Sequence, residues 1–298
     1  MATVVKQLFE PIGPALNALF VLTVEGVEYL GRKQRDEHQE LGSRLTPDML
    51  YGRLLKSTWS DQGLNCCYQP IASANKRALF RQALLAPHNR VHFPFPVLGQ
   101  QCEELFASAD YWNNPEQLAT NLDRQEQHFR DACHVLLEKR LPEGALIHDP
   151  ACSTGTFIAS IARALPRVRC MGADASLNMI EHARRHHRSN NLAFRRADAH
   201  TPAVPLASCD ALILRFLNAE VMPRQTAVNL FHSLARLLRA DGVMILFGHT
   251  PLLFEVSVEA RRAGMVVHRS LAGTATGDSL FQFYHLEHRS LPCLPIAP

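Results

Sequence analysis

Three aspartates end apolar runs in the second half of the chain, each placed to accept hydrogen bonds from a bound ligand. Asp149 follows Gly144-Ala145-Leu146-Ile147-His148, Asp174 follows Val168-Arg169-Cys170-Met171-Gly172-Ala173, and Asp198 closes Leu192-Ala193-Phe194-Arg195-Arg196-Ala197. The first acid leads into small residues, Pro150-Ala151-Cys152-Ser153-Thr154-Gly155, and then a helix-like segment from Thr156 to Leu165. A buried strand, a tight turn of small residues and a helix N-terminus make a nucleotide-binding corner. Small side chains let a ligand approach the backbone, and free N–H groups at the helix start point towards it. Asp174 stands about twenty residues beyond Gly155, where an acid at the second strand tip accepts hydrogen bonds from ribose hydroxyls.

These acids need strands to hold them. A fourth run, Cys209-Asp210-Ala211-Leu212-Ile213-Leu214-Arg215-Phe216, leads into a ligand-facing turn from Arg215 to Glu220. Asp241-Gly242 reads as a turn into Val243-Met244-Ile245-Leu246-Phe247, and two late strands fall near 265–270 and 280–286. Other readings compete. A small-residue turn is often only structural, and Asp174 or Asp198 alone serves equally as a helix cap. A dehydrogenase uses the same corner with a third glycine inside the helix; this chain has Phe157 and Ala159 there.

The stretch Asp149 to Gly155 resembles motif I of the class I S-adenosylmethionine-dependent methyltransferases, with Ala151 and Ser153 where glycines are common and Gly155 kept. The resemblance extends over residues 144–288. It implies an α/β fold with a seven-stranded, Rossmann-like sheet and S-adenosylmethionine as co-substrate. The implied cofactor contacts are Asp149, Ala151, Cys152, Ser153, Gly155, Asp174, Ala175, Asp198, Ala199 and Arg215, with Asp198 facing the adenine amino group. The layout is also similar to that of the azetidine-2-carboxylate synthases, diverged methyltransferases in which the amine of S-adenosylmethionine attacks its own γ-carbon.

The N-terminal region, residues 1–125, reads as a mostly helical lid on a binding and catalytic domain at 126–298. Ala15 to Val24 is expected to be an amphipathic helix. Thr46-Pro47-Asp48 and Asn114-Pro115-Glu116 look like helix starts, the second opening a helix with Leu118, Leu122, Phe129, Cys133, Leu136 and Leu137. His92-Phe93-Pro94-Phe95-Pro96 must be extended. The aromatic faces of Phe93, Phe95, Tyr111 and Trp112 suit a sulfonium, whose charge they attract without attacking it. They read equally as packing between lid and core.

Transfer to an amine or phenol needs a base. Asn218, Tyr111, Glu220, His200 and His249 are the candidates near the site, and Asn218 and Tyr111 are taken as catalytic, with Phe93, Phe95, Trp112 and Glu220 lining the substrate pocket. Three functions remain open: alkyl transfer to a small amine or hydroxyl acceptor, cyclisation of S-adenosylmethionine, and binding without catalysis.

Composition sets outer bounds. At 298 residues, 47% hydrophobic and 20% charged, the composition is ordinary for a soluble globular enzyme. A net charge of +3 implies no polyanionic partner, and Arg184-Arg185-His186-His187-Arg188 reads as a solvated helix end rather than a nucleic-acid site. The 8 cysteines show no CxxC pair, so no metal and no disulfide framework is expected, which fits a reducing cytoplasm. No segment reads as a membrane anchor, the partner is a small-molecule substrate, and the sequence carries no signal of oligomeric state.

Overall fold

In the computed structural model, which describes residues 4–34, 42–93, 107, 109–121, 125–219, 221–252, 254–274 and 276–289, the N-terminal region is a sheet and not a set of helices. Its strands are β1 (Lys6–Pro11), β2 (Leu19–Val24), β3 (Val27–Arg32), β4 (Leu50–Ser60), β5 (Gly63–Pro70) and β6 (Arg90–His92). All pair antiparallel, in the order β1-β5-β4-β3-β2-β6, and α1 (Ser73–Ala83) packs against them.

The helical expectation fails for identifiable reasons. Leu19-Phe20-Val21-Leu22-Thr23-Val24 is buried on both faces, so it has no polar side to give a surface helix. Glu25 and Gly26 both take positive φ (50° and 78°), as a two-residue hairpin turn requires, and this folds β2 directly onto β3. The Thr46-Pro47 start signal yields only one 3-10 turn, Pro47–Met49. The chain then extends into β4, where a Cβ at Gly52 would lie 2.0 Å from the Gln69 carbonyl oxygen. That approach holds β4 against β5.

The second helix start is real. Asn114 Oδ1 accepts from Gln117 N at 3.2 Å, opening α3 (Pro115–Asn121) after the one-turn α2 (Ala109–Trp112). Where one helix was expected there are two, because α4 (Gln127–Arg140) starts separately and buries Phe129, Cys133 and Leu137.

From there strands and helices alternate as the sequence implies: β7 (Leu146–Asp149), α5 (Thr156–Ala164), β8 (Arg169–Asp174), α6 (Leu177–His186), β9 (Leu192–Arg196) and β10 (Cys209–Leu214). Then come α7 (Arg224–Ala235), β11 (Leu238–Leu246), α8 (Val256–Arg262), β12 (Met265–Gly273) and β13 (Leu280–His288). They form a seven-stranded sheet in the order β12-β13-β11-β10-β7-β8-β9, with β13 antiparallel to its neighbours. Asp241-Gly242 lies inside β11 rather than before it; the register slips there, with Cys209 opposite Leu238 and Ala211 opposite Val243.

Both faces of this sheet are covered. Phe129, Phe157, Phe247 and Phe281 belong to the core on the α4–α5 face, and Leu212, Phe231, Leu246 and Tyr284 to the core on the α7–α8 face. The two sheets also share a core. Phe20, Phe80, Val91 and Phe93 of the N-terminal sheet cluster with Leu271 and Leu280 of β12 and β13, and Leu45 forms a β-bridge with Leu280.

Candidate active site

Strand order reverses between β7 and β10, since β8 and β9 lie on one side of β7 and β10 and β11 on the other. Ligands of open α/β sheets bind outside the carboxyl ends of the strands at such a point. Asp149 ends β7 and Arg215 directly follows β10, so parallel pairing brings the two side by side.

Arg215 is the centre of a buried ionic cluster. Its Nε lies 3.4 Å from Asp149 Oδ2, its Nη1 pairs with Glu126, and its Nη2 donates to the Cys152 carbonyl at 3.0 Å. The guanidinium also sits 5.3 Å from the Phe157 ring centre. His249, just beyond β11, places Nε2 3.4 Å from the same Glu126 carboxylate. Side-chain exposure is 6% for Arg215, 2% for Glu126 and 0% for Asp149, so water screens these charges little.

The two carboxylates respond in opposite directions. Burial favours the neutral acid in both, but at Glu126 the close Arg215 charge, helped by His249, outweighs it and holds the group at about 2. At Asp149 burial wins over the more distant Arg215 nitrogen, and the carboxyl is pushed up to about 6. Glu126 Oε2, Asn218 Oδ1 and Trp112 Nε1 are buried with no hydrogen-bond partner among the described residues. Such groups are rare in native proteins.

Asp174 ends β8 and binds the motif loop. Its Oδ2 accepts from Ser153 N and its Oδ1 from Ser176 N, both at 2.9 Å. Ser153 holds a left-handed φ of 52° where the family favours glycine, and Gly155 follows at 78°. Gly155 also has a packing role. A Cβ there would strike Ala183 Cβ and Phe194 Cε1 at 2.7 Å, so the glycine lets α5 close on α6 and β9. Cys152 is wholly buried, its sulfur packed at Gly172, and burial raises its thiol pKa far above the ordinary range. It contributes its backbone.

Other expected residues are placed as follows. Asp198 is exposed beyond β9, where its Oδ1 accepts from His200 N at 2.9 Å. Ala175 sits beyond β8 with its carbonyl bonded to Arg196 Nε (3.2 Å), and Ala199 packs on the α7–α8 core. Asn218 is 4% exposed and donates to Thr250 Oγ1 at 2.8 Å. It caps no helix, because α7 begins after Pro223. Tyr111 and Trp112 make an edge-on pair, with ring centres 4.8 Å apart, on α2. Phe93 packs on Phe20 and beneath the Lys33 ammonium, within the core shared by the two sheets. Phe95 and Glu220 lie outside the described residues.

Glu126 was not anticipated, although a signal existed. It stands in phase with the buried stripe Phe129, Cys133 and Leu137, and an acid in phase with an apolar stripe marks a buried charge. Among the described residues no cluster of three His, Cys, Asp or Glu could hold a metal ion, and no helix is long and apolar enough to cross a membrane.

Residues 147–242 match a family model described as a methyltransferase domain. Isonocardicin synthase of Nocardia uniformis subsp. tsuyamanensis is 30% identical over 284 residues, which covers 90% of each chain. Among solved structures, a methyltransferase from Aquifex aeolicus aligns with 58% of this chain and 98% of its own, at 15% identity and a TM-score of 0.45. The putative methyltransferase bound to a Haloferax volcanii methyltransferase activator aligns with 59% and 99%, at 17% identity and a TM-score of 0.44. With the identity to isonocardicin synthase running through both sheets, the chain belongs to the class I S-adenosylmethionine-dependent methyltransferase superfamily and is a transferase with S-adenosylmethionine as co-substrate.

Proposed function

We propose that the enzyme transfers an alkyl group from the sulfonium of S-adenosylmethionine to a small amine or hydroxyl acceptor. The observation that carries this reading is the buried Asp149–Arg215–Glu126 cluster at the switch point, in which Glu126 Oε2 has no hydrogen-bond partner among the described residues. When bound, the co-substrate supplies a sulfonium flanked by three electrophilic carbons. Asp149 and Glu126 would hold its ammonium, with Arg215 keeping the two like charges together. Asp174 would hold the ribose and Asp198 the adenine. Asn218 has its amide nitrogen committed to Thr250, so its Oδ1 remains to accept a proton donor from the incoming acceptor. His249, at the edge of the cluster, is the group that takes up the acceptor's proton. The short helices α2 and α3 cover the site, a role supported by the packing of α3 on α6. The name of the relative, isonocardicin synthase, is that of a synthase and supports catalysis.

A second reading, ring closure by the co-substrate's own amine, draws on the same cluster, because Asp149 and Glu126 are the groups proposed to hold that amine. Asp149, at about 6, would then receive its proton. Incubation with S-adenosylmethionine, alone and with a panel of amines and phenols, followed by mass spectrometry, tests both. S-adenosylhomocysteine with a methylated acceptor marks methyl transfer. Methylthioadenosine marks attack on the γ-carbon, by an acceptor if it is required and by the internal amine if it is not. Unchanged S-adenosylmethionine throughout would refute catalysis.

A further inference from the structure

A second cavity lies at the junction of the two sheets and takes no part in the cluster above. It has a volume of about 210 Å³ and opens between β6, the segment after β11 and the start of α7. Phe93, Leu252 and Phe254 supply apolar wall, while Arg90, Arg224 and His92 supply cationic or donor groups. Arg90 is partly neutralised by Glu255, 3.2 Å away. Arg224 has no ion pair with a described carboxylate, and Ser270 is a buried hydroxyl on the wall. His92 keeps Nδ1 buried without a partner. Two arginines against one glutamate leave an excess positive charge over an apolar floor. That combination fits an anion with an apolar body.

Its place in the fold relates it to the transfer site. Tyr284, on the cavity wall, pairs with Leu246 at the carboxyl end of β11, so the cavity opens at the same sheet edge as Asp149 and Arg215. The chain after β11 passes His249, which touches Glu126, and reaches the cavity at Leu252. Gln282 fixes that wall, accepting from Leu252 N at 3.0 Å and donating to the Val91 carbonyl at 3.2 Å. From β10 to β13 is two strand spacings, roughly 10 Å.

We propose that this cavity binds a small organic carboxylate, the anionic end of the acceptor, with Arg224 and Arg90 on the carboxylate and Phe93 and Phe254 against its body. The proposal rests on the reading that a second molecule receives the alkyl group. A cavity of about 150 Å³ accommodates benzene, so this one, at about 210 Å³, is of the size for a benzoate-like group with its charge.

Titration calorimetry of the full chain with benzoate, and with benzamide as its neutral isostere, tests the site without requiring turnover. Benzoate is expected to bind at least tenfold more tightly than benzamide. Arg224→Ala should weaken benzoate binding at least tenfold while the affinity for S-adenosylmethionine stays within twofold. Equal binding of the two probes, no binding of either, or an unaffected Arg224→Ala variant overturns the anchor and leaves the transfer reading standing. Conversely, benzoate binding that depends on Arg224, in a protein that forms methylthioadenosine without any acceptor, keeps the carboxylate site and overturns its assignment to an acceptor.

Discussion

Replacing Arg215 by leucine would leave Glu126 and Asp149 buried together with no cation between them. Both side chains are at most 2% exposed, and breaking a buried pair of this kind costs about 3–5 kcal/mol. The dependence on pH is more diagnostic than the size. In the native protein Glu126 is held at about 2, below its ordinary 4.5, so its contribution is present above pH 4.5 and lost as pH falls towards 2. That shift corresponds to about 3 kcal/mol. Without Arg215, burial is opposed at Glu126 only by His249 and Arg130, so both carboxyls move up from their native values and each costs stability as pH rises through its raised value. The deficit of Arg215→Leu relative to wild type should therefore be smallest near pH 2 and grow to its largest above pH 7. Urea denaturation at several pH values reads it directly. Adding Glu126→Leu to Arg215→Leu should recover at least about 2 kcal/mol at pH 8, because one of the stranded charges is then removed. A deficit that does not vary with pH, together with no recovery in the double variant, would refute the energetic coupling.

The remaining predictions concern the binding loop. Asp174→Ala should weaken S-adenosylmethionine binding by about 1.5–3 kcal/mol, and an unchanged titration would remove Asp174 from the ribose. Gly155→Val should unfold at least about 3 kcal/mol more easily, since its Cβ would meet Ala183 and Phe194 at a left-handed φ; a wild-type denaturation midpoint contradicts this. Affinity for S-adenosylmethionine should fall as pH drops below about 6, where Asp149 becomes neutral, and Asp149→Asn should flatten that profile. A profile unaltered in the variant assigns the titration elsewhere.

The second half of the chain was legible because its strands are short apolar runs ending in acids, and parallel pairing then dictates which tips meet. Asp149, Asp174 and Arg215 fall where the sequence puts them, and Asn218 lies just past the fourth strand as expected. The N-terminal sheet was not legible. The outer part of β4 is exposed on both faces, with Lys56 to Ser60 all accessible, so it lacks the alternation that identifies a half-buried strand. The hairpin that decides β2 and β3 depends on a non-glycine residue, Glu25, taking a positive φ, which no composition rule announces. Glu126 escaped notice because an acid near a helix start is ordinarily read as a cap or a dipole partner. Its partner, Arg215, is 89 residues away.

The core shared by the two sheets bears on the order in which the molecule can be assembled. Phe20, Phe80 and Val91 need Leu271 and Leu280 to complete their packing, and the bridge from Leu45 reaches the same strand. β12 and β13 leave the ribosome after every other described strand. Until they do, the hairpins of the N-terminal sheet have an open apolar flank, however early they pair. Contacts of such sequence separation are slow to form and expose intermediates to aggregation. A chain truncated before residue 265 therefore loses more than two neighbouring strands of the catalytic sheet, because it also strips the wall against which the N-terminal sheet is built.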